Sequence, residues 1–337
     1  FHIVLTVCLI SKRQTSTSTS NQRKTTAVVI LACDRPKYLQ QSIDSLLDGA
    51  MKTSTISEID VIISWDTGCA SSEHYNDMIR LFSQYRTSGM IQEIWEKPAS
   101  EPPHQEWSTI IQHARDDEMR QKSEPSTRRV ARHYQYALSR AFDLKGYEYV
   151  IVGEDDLEYA VDYLPYMLKV KKIMEVDPSV FCASAWNDNG IHAFAHDPTR
   201  LFRTDVFPGL GWATSKDVWN SIKDDFPQDQ WDWYMRLDTT TQGRDCIFPE
   251  VSRTRNVGLH GGATVRYSFF EKYISTIIFN LVQVDFTFDD TTRRSNWITK
   301  KDYTRILQRK NKHVPYYSAL SDTGKDVLKH AIYPTAP

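Results

Sequence analysis

The run Ala27-Val28-Val29-Ile30-Leu31-Ala32, broken by Cys33-Asp34-Arg35-Pro36, decides the fold class. A short, continuous and largely β-branched apolar run ended by such a break fits a strand buried on both faces. Beyond the break, Tyr38, Leu39, Ile43, Leu46 and Leu47 recur at helical spacing. Asp60-Val61-Ile62-Ile63-Ser64 then reads as a second strand, ending at Trp65-Asp66-Thr67-Gly68. Strand, helix, strand is a βα unit, and the loops after its strands lie where open α/β sheets bind ligands.

Working outward, a helix is expected through Arg132-His133-Tyr134-Gln135-Tyr136-Ala137-Leu138. A third strand, Tyr149-Val150-Ile151-Val152, runs straight into Gly153-Glu154-Asp155-Asp156, and Val180 to Trp186 looks like another. Between about Lys97 and Arg128 the chain is polar and charge-rich, a surface excursion with a helical stretch; helical character returns from Tyr303 to Gln308. Toward the start, Phe1 to Ile10 is apolar but short of the roughly 20 residues that span a bilayer. Ser11 to Thr26 is a Ser/Thr/Gln/Lys/Arg linker without apolar periodicity. The expected organisation is therefore a signal-anchor remnant (1–10), a stem (11–26), a catalytic domain (27–309) and a C-terminal tail (310–337), expected to be truncated. That is the layout of a type II membrane protein.

With 337 residues, 40% hydrophobic and 25% charged, the chain buries a substantial core. A net charge of −2 gives no reason to expect nucleic acid as a partner. Contact with a membrane is expected only through the N-terminal anchor. Cys33, Cys69, Cys182 and Cys246 lie in the folded region and form no CxxC pair; counting alone leaves two disulfides and four free thiols equally open.

Glu154-Asp155-Asp156 carries the strongest chemical signal. Three adjacent carboxylates repel one another, and fixing them beside a hydrophobic sheet is costly unless a cation offsets the charge. Mn2+ or Mg2+ takes oxygen ligands and also accepts diphosphate oxygens, so the triplet suits a nucleotide-diphosphate site; a solvated acidic turn is the plainer alternative. Arg35 stands where a guanidinium can clamp phosphate. Asp66 ends the next strand, where a carboxylate can accept from a base or ribose, and His133 lies on its helix as a ligand or a structural histidine. Trp231-Asp232-Trp233-Tyr234-Met235-Arg236 sets a carboxylate among aromatics. Desolvation there would suit Asp232 to act as a general base, and an amphipathic helix with an aromatic core face is the alternative. Gly258, Gly261 and Gly262 around His260 read as a lid segment. No GxGxxG follows the first strand, against a dehydrogenase.

In order along the chain, Ala32-Cys33-Asp34-Arg35, Ala131-Arg132-His133-Tyr134, Glu154-Asp155-Asp156-Leu157-Glu158 and Ser184-Ala185-Trp186-Asn187-Asp188-Asn189-Gly190 are followed by three more segments. These are Phe207-Pro208-Gly209-Leu210-Gly211-Trp212, Trp231-Asp232 through Arg236, and Pro249-Glu250-Val251-Ser252-Arg253-Thr254. Together the seven resemble glycosyltransferase family 13, from about Ala27 to Arg309.

The resemblance implies an α/β fold of the GT-A type, a Rossmann-like mixed sheet flanked by helices. It also implies an inverting, Mn2+-dependent transfer of N-acetylglucosamine from UDP-GlcNAc, in β-1,2 linkage, to a mannose of an N-linked high-mannose glycan. The same transfer to O-linked mannose, or a catalytically silent glycan-binding protein, are the alternatives. Residue by residue, Asp156 matches the metal ligand and Glu154 and Asp155 the contacts to donor sugar and ribose. Arg35 matches the diphosphate contact, Asp66 and His133 the uridine contacts, and Asp232 the catalytic base, with Trp231 and Arg236 beside it. The implied disulfides are Cys33–Cys69 and Cys182–Cys246, and the implied place is the Golgi membrane with the catalytic domain lumenal. Two departures stand out. Cys69 sits one residue farther from Asp66 than in the family pattern, and Gly262-Ala263-Thr264 replaces the family's glycine–serine loop, so its donor contact is assigned only to Gly261 to Thr264.

Overall fold

Strand β1 (Thr26–Ala32) is buried along its whole length, as its continuous apolar run predicts. It pairs in parallel with β2 (Ile59–Asp66) on one side and with β4 (Tyr149–Glu154) on the other. Because strand side chains alternate, β1 feeds two cores. Val28 and Ile30 pack with the helices α1 (Pro36–Lys52) and α2 (Ser72–Ser88) on one face. Ala27, Val29 and Leu31 meet Tyr134 and Leu138 of α3 (Ser126–Ser139) on the other. This computed structural model describes residues 24–69, 72–98, 126–259 and 267–285.

The remaining strands are β3 (Glu93–Lys97), β6 (Val180–Ser184), β7 (Leu201–Thr204), β8 (Trp212–Ser215) and β9 (Asp245–Pro249). They complete an eight-stranded sheet in the order β3-β2-β1-β4-β8-β6-β9-β7. The first four strands run parallel; β8 lies antiparallel between β4 and β6, and β7 antiparallel to β9. This is the mixed α/β sheet expected from the sequence. A small antiparallel pair, β5 (Leu157–Tyr159) with β10 (Thr254–Asn256), stands outside it.

Several local readings are corrected. The strand expected to reach Trp186 ends at Ser184, and Trp186 turns away to bond the Asp188 carboxylate through its indole N–H. The helix read across Trp231 to Arg236 is a single turn, Trp231–Tyr234. The anchor remnant, most of the stem, residues 99–125 of the polar excursion, His260, the lid residues Gly261 to Thr264, the helical stretch Tyr303 to Gln308 and the C-terminal tail lie outside the described residues. Among the described residues, no helix is long and apolar enough to cross a membrane.

Two disulfides close: Cys33–Cys69 ties the end of β1 to the turn after β2, and Cys182–Cys246 joins register partners on β6 and β9. Gly153 permits the tightest packing near the strand end. A Cβ there would lie 1.9 Å from the Tyr159 hydroxyl and 2.9 Å from Ile30 Cδ1.

Arg253 and Asp162 form a fully buried ion pair at 3.2 Å. The Asp162 carboxylate also accepts from Asn280 Nδ2 (2.9 Å) and the Val284 amide (3.3 Å), which pins the segment around residue 280 to the body. Removing one partner of such a pair leaves an uncompensated buried charge. Arg253→Met is therefore expected to destabilise the protein by roughly 3–5 kcal/mol, read as a lower urea midpoint at unchanged m-value.

Candidate active site

Parallel pairing of β1, β2 and β4 brings three strand ends to one edge of the sheet. Leu31 lies in register with Glu154, and Ala32 with Trp65. The residues just after these positions are Arg35, Asp66, Asp155 and Asp156, so the topology alone gathers them. The Asp155 amide donates to Leu31 O (2.9 Å), and the Cys33 amide donates to Asp155 Oδ2 (3.2 Å), stitching the two strand ends together.

All three carboxylates of the triplet have protein partners, with Tyr134 serving one and Arg35 shared by the other two. Tyr134 donates its hydroxyl to Glu154 Oε1 at 2.6 Å. Arg35 forms a fork, with Nη2 on Asp155 and Nη1 on Asp156 Oδ2 at 2.9 Å. Burial, and then repulsion from Asp156, push the Glu154 carboxyl up from its usual range; burial likewise raises Asp155, with Arg35 working in the opposite direction. Burial opposes the Arg35 charge, but the two carboxylates outweigh it and hold its pKa above the ordinary value. The single guanidinium faces two carboxylates directly, with a third beside them.

Asp156 carries the observation that matters most. Its Oδ1 is buried and without a hydrogen-bond partner, although Oδ2 is engaged by Arg35. Gly258 packs so closely that a Cβ there would meet Oδ2 at 2.2 Å, and Val257 donates its amide to Asp156 O at 2.8 Å. A buried anionic oxygen with no donor is costly, and a cation is the partner that its charge favours. Asp156 Oδ1 can give a hard divalent ion one oxygen ligand; among the described residues no group of three His, Cys, Asp or Glu side chains suited to a metal is gathered.

A second cluster adjoins it on β2. Asp66 is buried, accepts from the Gly68 amide (3.0 Å) and pairs with Lys97 at 3.4 Å, its register partner on β3. His133 is buried and shares a 2.9 Å hydrogen bond with Ser64 Oγ. Burial, only partly offset by the Asp66 charge, lowers its pKa to about 4. The imidazole is thus a neutral donor–acceptor in a polar niche.

Trp231 and Asp232 reach the same edge through aromatic packing. The Trp231 ring stacks on Tyr134, the Glu154 partner, with centroids 3.8 Å apart, and lies 5.9 Å from Trp212. Asp232 then corrects the expectation of a desolvated base. Its side chain is 40% exposed and paired with Arg236 at 2.8 Å, because the short turn sends Trp231 inward and the carboxylate outward. Arg236 also donates Nε to Phe207 O at 3.1 Å.

Reading the sequence residue by residue missed Tyr134 and Lys97 as parts of the site, and read Gly258 as part of a lid without its packing against Asp156. Tyr134 had a signal, being adjacent to His133 on a helix, but its aim at Glu154 depends on how α3 lies against the sheet. Lys97 was legible only as the start of the polar excursion, and the structure instead makes it the last residue of β3.

The sequence model of the GNT-I family matches residues 4–320 of the chain. An alpha-1,3-mannosyl-glycoprotein 2-beta-N-acetylglucosaminyltransferase of Arabidopsis thaliana is 32% identical over 290 residues, which cover 85% of this chain and 57% of that protein. The chain therefore spans little more than half the length of that relative. Among solved structures, the mannosyltransferase PcManGT of Pyrobaculum calidifontis, in complex with GDP-Man and Mn2+, is 14% identical with a TM-score of 0.41, covering 68% of this chain and 55% of its own. TarS of S. aureus is 9% identical with a TM-score of 0.40, covering 67% and 58%.

A histidine that is neutral when folded and has its ordinary pKa when unfolded binds more protons in the unfolded state, so its contribution falls as pH drops from about 6.5 toward 4. His133→Gln should therefore lose less stability than the parent on acidification. The gap between them is expected to shift by about 2 kcal/mol between pH 7 and pH 5, measured by urea denaturation at each pH.

Proposed function

The chain belongs to the GNT-I family, and from that premise we propose that it transfers N-acetylglucosamine from UDP-GlcNAc to a terminal mannose of a glycoprotein N-glycan, forming a β-1,2 linkage with inversion. The relative's name supports the transferred sugar, the linkage and a mannosyl-glycoprotein acceptor. The unpartnered, buried Asp156 Oδ1 at the end of β4 is the single observation that carries the site assignment.

In this reading Asp156 holds a divalent cation, Mn2+ by the family resemblance, which when bound supplies positive charge to the departing diphosphate. Arg35, whose guanidinium already lies against Asp156, provides the second positive group beside that diphosphate. Asp66 and the neutral His133 bind the uracil and ribose side of the donor, from a niche in which both are buried. Asp155 and Glu154 face the ribose and the transferred sugar, with Tyr134 fixing the Glu154 rotamer.

Asp232 is the base. Its exposure leaves it open to an incoming acceptor, and Arg236 holds it in one orientation. The acceptor 2-hydroxyl gives its proton to Asp232 while its oxygen attacks the anomeric carbon. The bond from that carbon to the phosphate oxygen breaks, and its electron pair leaves with UDP. One displacement inverts an α-linked donor to a β product and needs no enzyme nucleophile. By the same resemblance the catalytic domain works in the Golgi lumen, tethered as a type II membrane protein through an N-terminal anchor.

Two variants separate the roles. Asp156→Asn is expected to weaken Mn2+-dependent UDP binding by about 100-fold or more, a loss of roughly 2.7 kcal/mol, read by calorimetry without turnover. Asp232→Asn is expected to lower kcat by at least about 100-fold while leaving UDP-GlcNAc affinity within a factor of a few. UDP release is compared on a high-mannose N-glycan and an O-mannosyl peptide. Full turnover by the Asp232 variant rejects the base assignment, and a preference for the peptide replaces the N-glycan acceptor.

A further inference from the structure

Seven tryptophans fall among the described residues. Trp65, Trp95, Trp186, Trp212, Trp219 and Trp231 are buried, whereas Trp233 is 48% exposed. Leaving half an indole in water forgoes much of the hydrophobic gain that its burial would bring. This residue directly follows the candidate base, on the one helical turn that Trp231 anchors to the core.

Arg236 links the indole to the carboxylate. One end of its guanidinium pairs with Asp232 at 2.8 Å, and its Cζ lies 5.9 Å from the centroid of the Trp233 ring. The same side chain is tied to the body through Phe207 O. Ring, guanidinium and carboxylate therefore form one braced unit, in which the Trp233 face keeps a set position relative to the Asp232 oxygens. Bracing of this kind lowers the ordering cost of a ligand that docks on the ring.

An aromatic face bears partial negative charge, and the axial C–H bonds on one face of a pyranose bear partial positive charge. Flat, half-exposed indoles therefore suit sugar rings, and a sugar stacked here would be registered against Asp232. We infer that Trp233 is the acceptor platform: it stacks a pyranose ring of the acceptor glycan and so sets which hydroxyl reaches Asp232. This rests on the transferase reading above and adds to it the residue that selects the acceptor. In that role Trp233 is a specificity-determining residue, and Arg236 positions it.

The test combines kinetics and direct binding on Trp233→Ala and Trp233→Phe. Calorimetry with a mannose-terminated N-glycan, on protein loaded with UDP and Mn2+, reads acceptor binding independently of turnover. Trp233→Ala is expected to weaken glycan binding and raise acceptor KM by roughly tenfold, with UDP-GlcNAc KM unchanged; Trp233→Phe, which keeps an aromatic face, should recover most of the loss. Thermal melting of each variant checks the fold, and if the Ala variant is unfolded the comparison rests on Trp233→Phe against Trp233→Leu. Glycan affinity that is equal in the parent and the non-aromatic variant overturns the platform, as does a parent that binds no glycan. A parent that binds glycan through Trp233 yet transfers nothing sinks the transferase reading and leaves the platform standing.

Discussion

Three carboxylates crowd the end of a buried parallel strand, and the arrangement holds because each finds a partner, two of them in the same guanidinium. Tyr134 takes Glu154, the Cys33 amide and Arg35 take Asp155, and Arg35 reaches on to Asp156. Without these contacts, mutual repulsion and desolvation would splay the turn away from the sheet. With them, β1 and β4 are locked at their carboxyl ends, and one anionic oxygen is left over.

The surrounding scaffold is closed around Asp66 and His133 and open at Asp232 and Trp233. Asp66, His133 and Lys97 are buried, and the Cys33–Cys69 disulfide fastens the turn beside them. Such a niche can present fixed dipoles to a ligand with little reorganisation. Asp232 and Trp233, by contrast, sit on a single exposed turn whose rigidity is borrowed from Trp231 stacked on Tyr134. Tyr134 therefore serves both halves, since its hydroxyl orients Glu154 and its ring supports the turn that carries Asp232.

Farther from the edge, the Arg253–Asp162 pair shows how the family's Ser252-Arg253-Thr254 segment contributes without touching the reacting groups. Through Asp162 it holds the segment around residue 280 against the body, and Arg253 itself directly precedes β10. Gly258 then packs against the Asp156 carboxylate. A buried ion pair of this kind adds little net stability compared with a well-packed apolar core, but it makes the placement of its neighbours specific.

The sequence by itself determined four of the ten strands among the described residues, β1, β2, β4 and β6, and left the other six and the order of the sheet unread. Continuous β-branched runs ending in Arg35, Asp66 and Glu154-Asp155-Asp156 can be satisfied only in a sheet buried on both faces, so the fold class and the carboxyl-edge location of the site followed from hydrophobic periodicity. Only the tertiary structure decided how those groups pair. That Arg35 turns back onto Asp155 and Asp156, that Lys97 meets Asp66 across two strands, and that Asp232 faces water while Trp231 faces the core are not encoded in local pattern. They depend on register between strands distant in the chain, and on which side of a single helical turn packs against Tyr134. Periodicity reports which residues are buried, but the partner of a buried charge is fixed by the geometry that brings remote segments together.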